Sequence, residues 1–233
     1  ITPKTKALIL PYPCNPTGAV MEREDLEAIA EVLKGTDIVV ISDEIYSELT
    51  FGNEAHVSPA SVCDMAERTV MVNGFSKAFS MTGWRLGYAC GPKEIMREII
   101  KIHQYAIMCA PTTSQYAAIE ALRNCDQAVA EMKEEYDIRR RIIVAGFNRI
   151  GLECREPKGA FYAFPSIKST GMTSDEFCER LLYSKRVAIV PGSAFGRGGE
   201  GFVRASYCYS TSHIEEALDR IGEFLSEIGC EGR

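Results

Sequence analysis

A lysine set among small and apolar residues is the first candidate for chemistry in this sequence. Lys77 lies in the segment Gly74-Phe75-Ser76-Lys77-Ala78, directly after an apolar run. An amine in such surroundings is suited to attack on a carbonyl carbon, which is Schiff-base chemistry. A lysine with a buried stem and a solvated amine is nevertheless the more common case. The residues around Lys77 must therefore decide between the two interpretations.

An arginine follows Lys77 by eight residues. Arg85 lies in the segment Gly83-Trp84-Arg85-Leu86-Gly87, in which a glycine stands on each side of it. The planar guanidinium group can make two parallel hydrogen bonds to a phosphate or a carboxylate. Arg85 is therefore a candidate anion-binding residue.

Two further segments carry polar side chains suited to a ligand. Asp43 and Tyr46 can direct a carboxylate and a phenol into one crevice. It is equally plausible that Asp43 is an exposed acid in a turn and that Tyr46 is a partly buried ring, with no function for either. The segment Asn15-Pro16-Thr17-Gly18, taken alone, is a turn: proline fixes φ, glycine tolerates positive φ, and asparagine bonds its own backbone. Neither segment identifies a site by itself.

The predicted strands place two of these segments at strand ends. The apolar runs are Ala7–Leu10, Ile38–Ile41 and Thr69–Val72, and Leu26, Ile29, Ala30 and Leu33 share one face of a helix. Alternating strands and helices are typical of an α/β domain with a largely parallel sheet. Ligands of such sheets bind at the carboxyl ends of the strands, where Asp43 and the segment from Gly74 to Lys77 lie.

The second half of the sequence predicts a long helix and then a smaller α+β domain. Residues 92–150 are mostly helical with a break at Pro111, and we interpret the charged stretch from Gln127 to Arg149 as a helix that connects two domains. The later predicted strands are Ala160–Phe164, Val187–Val190 and Phe202–Tyr207. Two capping boxes, Thr173 with Glu176 and Ser212 with Glu215, predict helix starts.

Composition and charge exclude several classes of protein. The 233 residues are 46% hydrophobic and 25% charged, which is ordinary for a globular protein. The net charge is −6, and the basic residues form no stripe for a nucleic acid. No apolar run approaches the roughly 20 residues that span a bilayer, and there is no signal-like start. We expect a cytoplasmic protein that binds neither nucleic acid nor membrane.

The cysteines and histidines predict no metal site. The shortest separation between cysteines, from Cys109 to Cys125, is 16 residues, so the sequence contains no C-x-x-C pair. His56, His103 and His213 are isolated, and none has a second ligand at a useful spacing. We expect the nine cysteines to be reduced, buried core residues and no metal to be bound.

In their order along the chain, these segments resemble the motifs of class I/II (fold-type I) pyridoxal-phosphate-dependent aminotransferases. The matching segments are Asn15-Pro16-Thr17-Gly18, Asp43-x-x-Tyr46, Gly74-Phe75-Ser76-Lys77, Gly83-Trp84-Arg85-Leu86-Gly87 and Phe202-Val203-Arg204-Ala205-Ser206-Tyr207. The similarity extends to 157–162 and 190–195. It implies the α/β PLP-transferase fold type I, with part of the large, mainly parallel-sheet domain in 1–145 and a small α+β domain in 146–233. The sequence resembles the C-terminal portion of the family, and we expect it to be an incomplete fragment.

The resemblance implies roles for the cofactor-binding residues. Lys77 would hold pyridoxal 5′-phosphate through a Schiff base and shuttle a proton between the substrate α-carbon and the cofactor. Asp43 would pair with the pyridine nitrogen. Tyr46 and Asn15 would hydrogen-bond the phenolic oxygen and favour its ionised form.

The resemblance also implies residues for two anionic groups. Arg85 would bind the cofactor phosphate, with Ser76 and the backbone of Gly74 nearby. Arg204 would bind the substrate α-carboxylate through two hydrogen bonds, which a lysine would do less well. Asn15 would help to orient that carboxylate.

The implied function is transfer of an amino group between an L-amino acid and a 2-oxo acid by a homodimer. A β-elimination lyase would use the same cofactor. A transcription regulator that senses pyridoxal phosphate through an aminotransferase-like domain is an alternative of another class, and a helix-turn-helix upstream would favour it. A scaffold that has lost catalysis is disfavoured by the simultaneous presence of Asn15, Asp43, Tyr46, Lys77, Arg85 and Arg204. The amino donor and acceptor stay open.

Overall fold

The structure is a computed structural model that describes residues 1–52 and 55–230. The chain forms two compact units. The first contains Ile1–Cys14 and Ala19–Glu131, and the second contains Asn15–Gly18 and the chain from Met132 onward. The division of the protein into domains at residue 145 stays a prediction.

A four-stranded sheet forms the centre of the first unit. Its strands are β1 (Ala7–Pro11), β2 (Val39–Asp43), β3 (Thr69–Gly74) and β4 (Gly87–Cys90), in the order β1-β2-β3-β4. The first three are parallel and β4 is antiparallel to β3, so the predicted largely parallel sheet is confirmed. The register pairs Pro11 with Asp43 and Asp43 with Val72. The carboxyl ends of the three parallel strands therefore meet at one edge.

Helix α1 (Arg23–Leu33) covers one face of this sheet. Leu26 and Leu33 are buried in a cluster with Leu10 and Val40, and the other two residues of the predicted helical face pack against that cluster. The predicted face is therefore confirmed. The opposite face of β1 is open, since Ile9 is 63% exposed. Parallel strands are usually buried on both faces.

Three helices follow β4. They are α2 (Lys93–Ala106), α3 (Thr112–Asn124) and α4 (Asp126–Arg149), and Pro111 lies at the predicted break between the first two. Helix α2 has no buried residue, and its Ile102 and Tyr105 are 71% and 94% exposed. Helix α3 buries Ala118 and Ala121 in a cluster with Phe75. Among the residues that the structure describes, no helix combines the length and apolar character that a membrane crossing requires.

The second unit contains a three-stranded antiparallel sheet and two further helices. The strands are β5 (Tyr162–Ala163), β6 (Val190–Pro191) and β7 (Val203–Ser206) in the order β5-β7-β6, and the helices are α5 (Ser174–Lys185) and α6 (Thr211–Glu227). Each strand overlaps a predicted strand but is shorter. Pro191 stands in the edge strand β6, where a missing N–H is tolerated. The central strand β7 buries Val203 and Ala205.

The two predicted helix caps in this unit have different outcomes. The Thr173 hydroxyl accepts a hydrogen bond from the Glu176 N–H at 3.2 Å and caps α5 as predicted. The prediction that Ser212 caps α6 is wrong. The cap is Ser210, whose hydroxyl accepts from the His213 N–H at 3.4 Å and lies 2.6 Å from His213 Nδ1. Ser210 has extended backbone angles, whereas Ser212 is already within the first turn.

Replacement of the Ser210 cap should destabilise the protein measurably. Ser210→Ala removes the acceptor for an otherwise unpaired N–H, and we expect a loss of about 1 kcal/mol in the free energy of unfolding. Ser212→Ala is the matched control, with an expected change of about 0.5 kcal/mol or less. Urea unfolding followed by circular dichroism measures both. A larger loss for the Ser212 variant would contradict the assignment of the cap.

The cysteines are less buried than expected. All nine are free thiols, but only Cys154 and Cys178 are buried, and burial raises their pKa values to about 11 and about 12. The prediction of buried core residues is wrong for the four exposed cysteines, which are Cys63, Cys90, Cys109 and Cys208. Three of the four lie in loops, and Cys90 ends the edge strand β4. A small apolar side chain at such positions has no core to enter.

Candidate active site

Lys77 lies in the turn that follows β3. Its Nζ is 5.6 Å from the centre of the Tyr46 ring. The neighbouring Phe75 and Ala78 are buried at 5% and 6% exposure, whereas Lys77 itself is half-buried. Because Phe75 packs against α3, the backbone of the turn is fixed by apolar contacts. The amine is thereby presented on the side of the turn that contacts Tyr46.

Packing explains why position 74, at the start of the turn that carries Lys77, is a glycine. A Cβ at Gly74 would lie 3.0 Å from the Leu86 carbonyl oxygen and 3.1 Å from the Gly87 Cα. Gly74 and Gly87 face each other in the β3–β4 pair. A larger residue at position 74 would therefore displace β4, which leads out of the segment that contains Arg85.

The turn after β2 carries Asp43 and Tyr46. Asp43 is half-buried at the end of the strand, and its Oδ1 accepts a hydrogen bond from the Ile45 N–H at 3.2 Å. Tyr46 is buried, with 5% of its surface exposed. Side chains alternate along a strand, so Asp43 points to the face opposite to that of the buried Ser42.

One hydrogen-bonded pair that sequence reasoning missed joins the turns of Tyr46 and Lys77. Asn73 Nδ2 donates to Ser47 Oγ at 3.1 Å, and Asn73 Oδ1 accepts from the Gly74 N–H at 2.7 Å. Asn73 therefore connects the end of β3 to the turn after β2. The polar residue directly after the apolar run that ends at Val72 was the available signal.

Arg85 ends a short 3-10 turn in the left-handed backbone region, with φ of 52°. Its Nη1 donates to the Thr82 carbonyl oxygen at 2.8 Å, and its side chain is exposed. The Trp84 carbonyl oxygen accepts a hydrogen bond from Ser114 Oγ at 2.7 Å, which ties this turn to α3. Ser76 is half-buried in the same turn as Lys77. An exposed guanidinium group on a fixed turn can accept an anion from solvent.

Arg204 lies in the central strand β7 of the second unit. Its Nη1 donates to Asn15 Oδ1 at 2.8 Å. The guanidinium carbon lies 4.4 Å from the centre of the Tyr162 ring and 5.0 Å from that of Phe195. Arg204 Nε is buried and has no hydrogen-bond partner in the described part of the chain. A buried donor without a partner is costly, so this N–H indicates a place for a ligand's acceptor oxygen.

The turn from Asn15 to Gly18 is held in the second unit by backbone contacts. The Gly18 carbonyl oxygen accepts hydrogen bonds from the N–H groups of Lys158 and Gly159, each at 2.9 Å. Gly18 has φ of +67°, and a Cβ there would lie 2.2 Å from the Cβ of Pro157. Glycine is therefore required at this position, and the contact holds Asn15 within reach of Arg204.

The structure thus groups the predicted site residues by unit. It brings Lys77 and Tyr46 together in the first unit, beside the strand end that carries Asp43. It brings Asn15 and Arg204 together in the second unit. Sequence reasoning did not find the two rings around the Arg204 guanidinium group, because a ring contact between separate strands and turns leaves no local pattern.

A family model and solved structures match this chain over nearly its whole length. The model described as "Aminotransferase class I and II" matches residues 1–221. The crystal structure of an aromatic aminotransferase from Pyrococcus horikoshii has a TM-score of 0.96 and 48% sequence identity, and the match covers 99% of this chain and 62% of that one. The predicted fold, PLP-transferase fold type I, is confirmed.

Curated relatives agree with this match. An aspartate aminotransferase of Pyrococcus abyssi is 50% identical over 229 residues, and the aromatic-amino-acid aminotransferase 2 of Thermococcus litoralis is 46% identical over 229 residues. Each match covers 97% of this chain, and the chain spans 59% of the length of each relative. Because the family model matches residues 1–221, this chain belongs to the class I and II aminotransferases.

Proposed function

We propose that this protein transfers an amino group between an L-amino acid and a 2-oxo acid. The observation that carries the proposal is the Lys77 amine, 5.6 Å from the Tyr46 ring, at the sheet edge where β2 and β3 end. Class I and II aminotransferases of this fold type depend on pyridoxal phosphate. When bound, that cofactor withdraws electrons from the substrate α-carbon and makes its proton acidic.

The predicted donor set matches the groups of pyridoxal phosphate. The amine can bind the aldehyde, and the phenol can donate to the phenolic oxygen. The carboxylate can pair with the pyridine nitrogen, and the guanidinium group can bind the phosphate. Lys77 Nζ would hold the cofactor covalently and carry the proton to and from the substrate α-carbon. Asp43 would keep the pyridine nitrogen protonated. Tyr46, together with Asn15, would donate to the phenolic oxygen.

The remaining residues serve the anionic groups. Arg85 would pair with the phosphate, with Ser76 and the Gly74 backbone N–H as further donors. Arg204 would bind the substrate α-carboxylate through Nε, which lacks a partner among the described residues, and an adjacent N–H. Asn15 Oδ1 accepts from Arg204 Nη1 and would hold the guanidinium plane in the orientation that a carboxylate requires.

The named relatives direct the choice of substrates. They act on aspartate and on aromatic amino acids, so both are proposed amino donors. Amino transfer is preferred to β-elimination because these relatives are aminotransferases. The sensing role in a transcription regulator has no support from them.

We also propose that the full-length protein is a homodimer of the cytoplasm. The exposed apolar side chains of α2 and the turn after it, among them Ile102, Tyr105 and Met108, support an interface on this helix. Exposed free thiols such as Cys109 and Cys208 support a reducing compartment. We further propose that residues 1–145 belong to the large domain and residues 146–233 to the small domain.

The function is tested with the full-length protein loaded with pyridoxal phosphate. We expect aspartate or an aromatic amino acid, supplied with 2-oxoglutarate, to yield glutamate and the matching 2-oxo acid. Amino-acid analysis of the products distinguishes transfer from elimination, because elimination releases ammonia and forms no glutamate. Ammonia release without glutamate would contradict the proposal, as would a protein that binds the cofactor but converts neither donor.

A further inference from the structure

A buried acid stands directly beside Asp43. Glu44 is 4% exposed, its Oε1 accepts a hydrogen bond from Ser58 Oγ at 2.6 Å, and its Oε2 lies 2.9 Å from His56 Nε2. Burial alone raises the pKa of Glu44, but the hydrogen bonds from His56 and Ser58 outweigh it and hold the pKa below its usual value. Glu44 is therefore ionised at neutral pH, and its two carboxylate oxygens are hydrogen-bonded to Ser58 and His56; these three residues are called the Glu44 cluster.

The backbone of Glu44 is held as firmly as its side chain. The Glu44 N–H donates to the Val72 carbonyl oxygen of β3 at 2.8 Å, and the Glu44 carbonyl oxygen accepts from the Ser47 N–H at 2.9 Å. Glu44 lies between Asp43 and the turn that carries Tyr46. These contacts hold the backbone of Glu44 between Asp43 and Tyr46.

The partners of Glu44 come from a distant part of the loop. His56 and Ser58 follow it by 12 and 14 residues, and Ser58 precedes the 3-10 turn Pro59–Ser61. The carboxylate therefore ties residues 56–58 to the carboxyl end of β2. A second charged group, the buried Arg140 with Asp137 and the exposed Glu156, lies in the second unit.

We propose that Glu44, His56 and Ser58 are positioning residues that hold Asp43 and Tyr46 in place for the cofactor. The proposal rests on the proposed aminotransferase function and adds residues to which no role has been assigned. Side chains that touch a cofactor need support from a second set of contacts, since small displacements lower affinity and rate. The Glu44 cluster provides such support directly after the carboxyl end of β2.

A matched pair of variants separates positioning from general stability. Ser58→Ala removes one hydroxyl donor at the carboxyl end of β2. Thr36→Val removes one hydroxyl three residues before the same strand, where Thr36 Oγ1 donates to the Leu33 carbonyl oxygen at 2.7 Å and accepts from Arg68 Nη1 at 3.2 Å. In the full-length protein, we expect Ser58→Ala to raise the dissociation constant of pyridoxal phosphate and lower kcat, each roughly 10-fold, with KM for the amino donor unchanged. Thr36→Val should leave the dissociation constant, kcat and KM within about 2-fold of the wild-type values.

Two further measurements complete the test. Hydrogen exchange of the cofactor-free protein should show faster exchange in the peptide with residues 43–47 for Ser58→Ala but not for Thr36→Val, a result that does not depend on catalysis. Glu44→Gln keeps the shape of the side chain and one acceptor oxygen for Ser58 Oγ, and its amide NH2 can donate to His56 Nε2 in the tautomer that carries the proton on Nδ1. It should therefore retain cofactor affinity within about 3-fold, whereas Glu44→Ala should not.

The outcomes decide the proposal whether or not every variant folds. Equal cofactor affinity and equal exchange for Ser58→Ala and Thr36→Val would overturn it, even if Glu44→Ala does not fold. Faster exchange at 43–47 together with weaker cofactor binding would support it. A wild-type protein that binds no cofactor would refute the proposed function instead, and the exchange comparison would still report whether the Glu44 cluster orders the turn.

Discussion

Lys77→Ala should abolish amino transfer, with a fall in kcat of at least about 1,000-fold, because the variant loses the covalent attachment point and the proton carrier in one change. The amine lies 5.6 Å from the Tyr46 ring, and its neighbours Phe75 and Ala78 fix the turn without it. The variant should therefore fold normally. Steady-state kinetics of the full-length protein with pyridoxal phosphate measures the loss.

Chemical trapping identifies the attachment point independently of turnover. Borohydride reduction of the loaded wild-type protein, followed by peptide mass spectrometry, should place the cofactor on Lys77. Lys34→Ala is the control, since Lys34 is an exposed lysine that pairs with Glu31 on the surface. A labelled lysine other than Lys77, or full activity in Lys77→Ala, would remove Lys77 from the proposed mechanism.

Arg204→Lys should lower kcat/KM by about 10- to 100-fold, because a lysine keeps the charge but loses the two-pronged contact with a carboxylate. The guanidinium group lies near the Tyr162 and Phe195 rings, and its buried Nε has no partner in the described residues. An ammonium group would not place a donor at that position. We expect most of this loss to appear as a higher KM for the amino acid, with a smaller effect on cofactor binding.

Variants of Asn15, the hydrogen-bond partner of Arg204, and of a surface arginine provide the comparisons for Arg204. Asn15→Ala removes the acceptor for Arg204 Nη1 and should produce a smaller loss of about 3- to 10-fold in kcat/KM. Arg180→Lys changes an exposed arginine that pairs with Glu176 and should leave the kinetics unchanged. Equal kinetics for Arg204→Lys and Arg180→Lys would contradict the role of Arg204 in carboxylate binding.

Local patterns in the sequence predicted the elements that carry the first unit. The positions of Leu26 and Leu33 predicted the buried face of α1, and the β-branched runs predicted β2 and β3. Since the carboxyl ends of parallel strands share one edge, the positions of Asp43 and Lys77 followed from these strands. Periodicity and strand ends are local properties, and a single sequence therefore contains them.

Features that depend on contacts between distant residues were not predicted. The link from Asn73 to Ser47, and the rings of Tyr162 and Phe195 around Arg204, join separate parts of the chain. The start of α6 was misplaced for a different reason: Ser210, Thr211 and Ser212 are all good caps. Only the backbone conformation distinguishes among them.

The turn from Asn15 to Gly18 has a consequence for the order in which this protein can fold. Its flanking residues belong to the first unit, yet its contacts are with residues of the second, and the hydrogen bond from Arg204 to Asn15 spans 189 positions. Closing so long a loop is entropically costly and slow. On the ribosome, the residues around Asn15 emerge long before Arg204 is synthesised. The Gly18 contacts can form once residues 157–159 have been made, but the Asn15–Arg204 hydrogen bond can form only after nearly the entire chain has been synthesised.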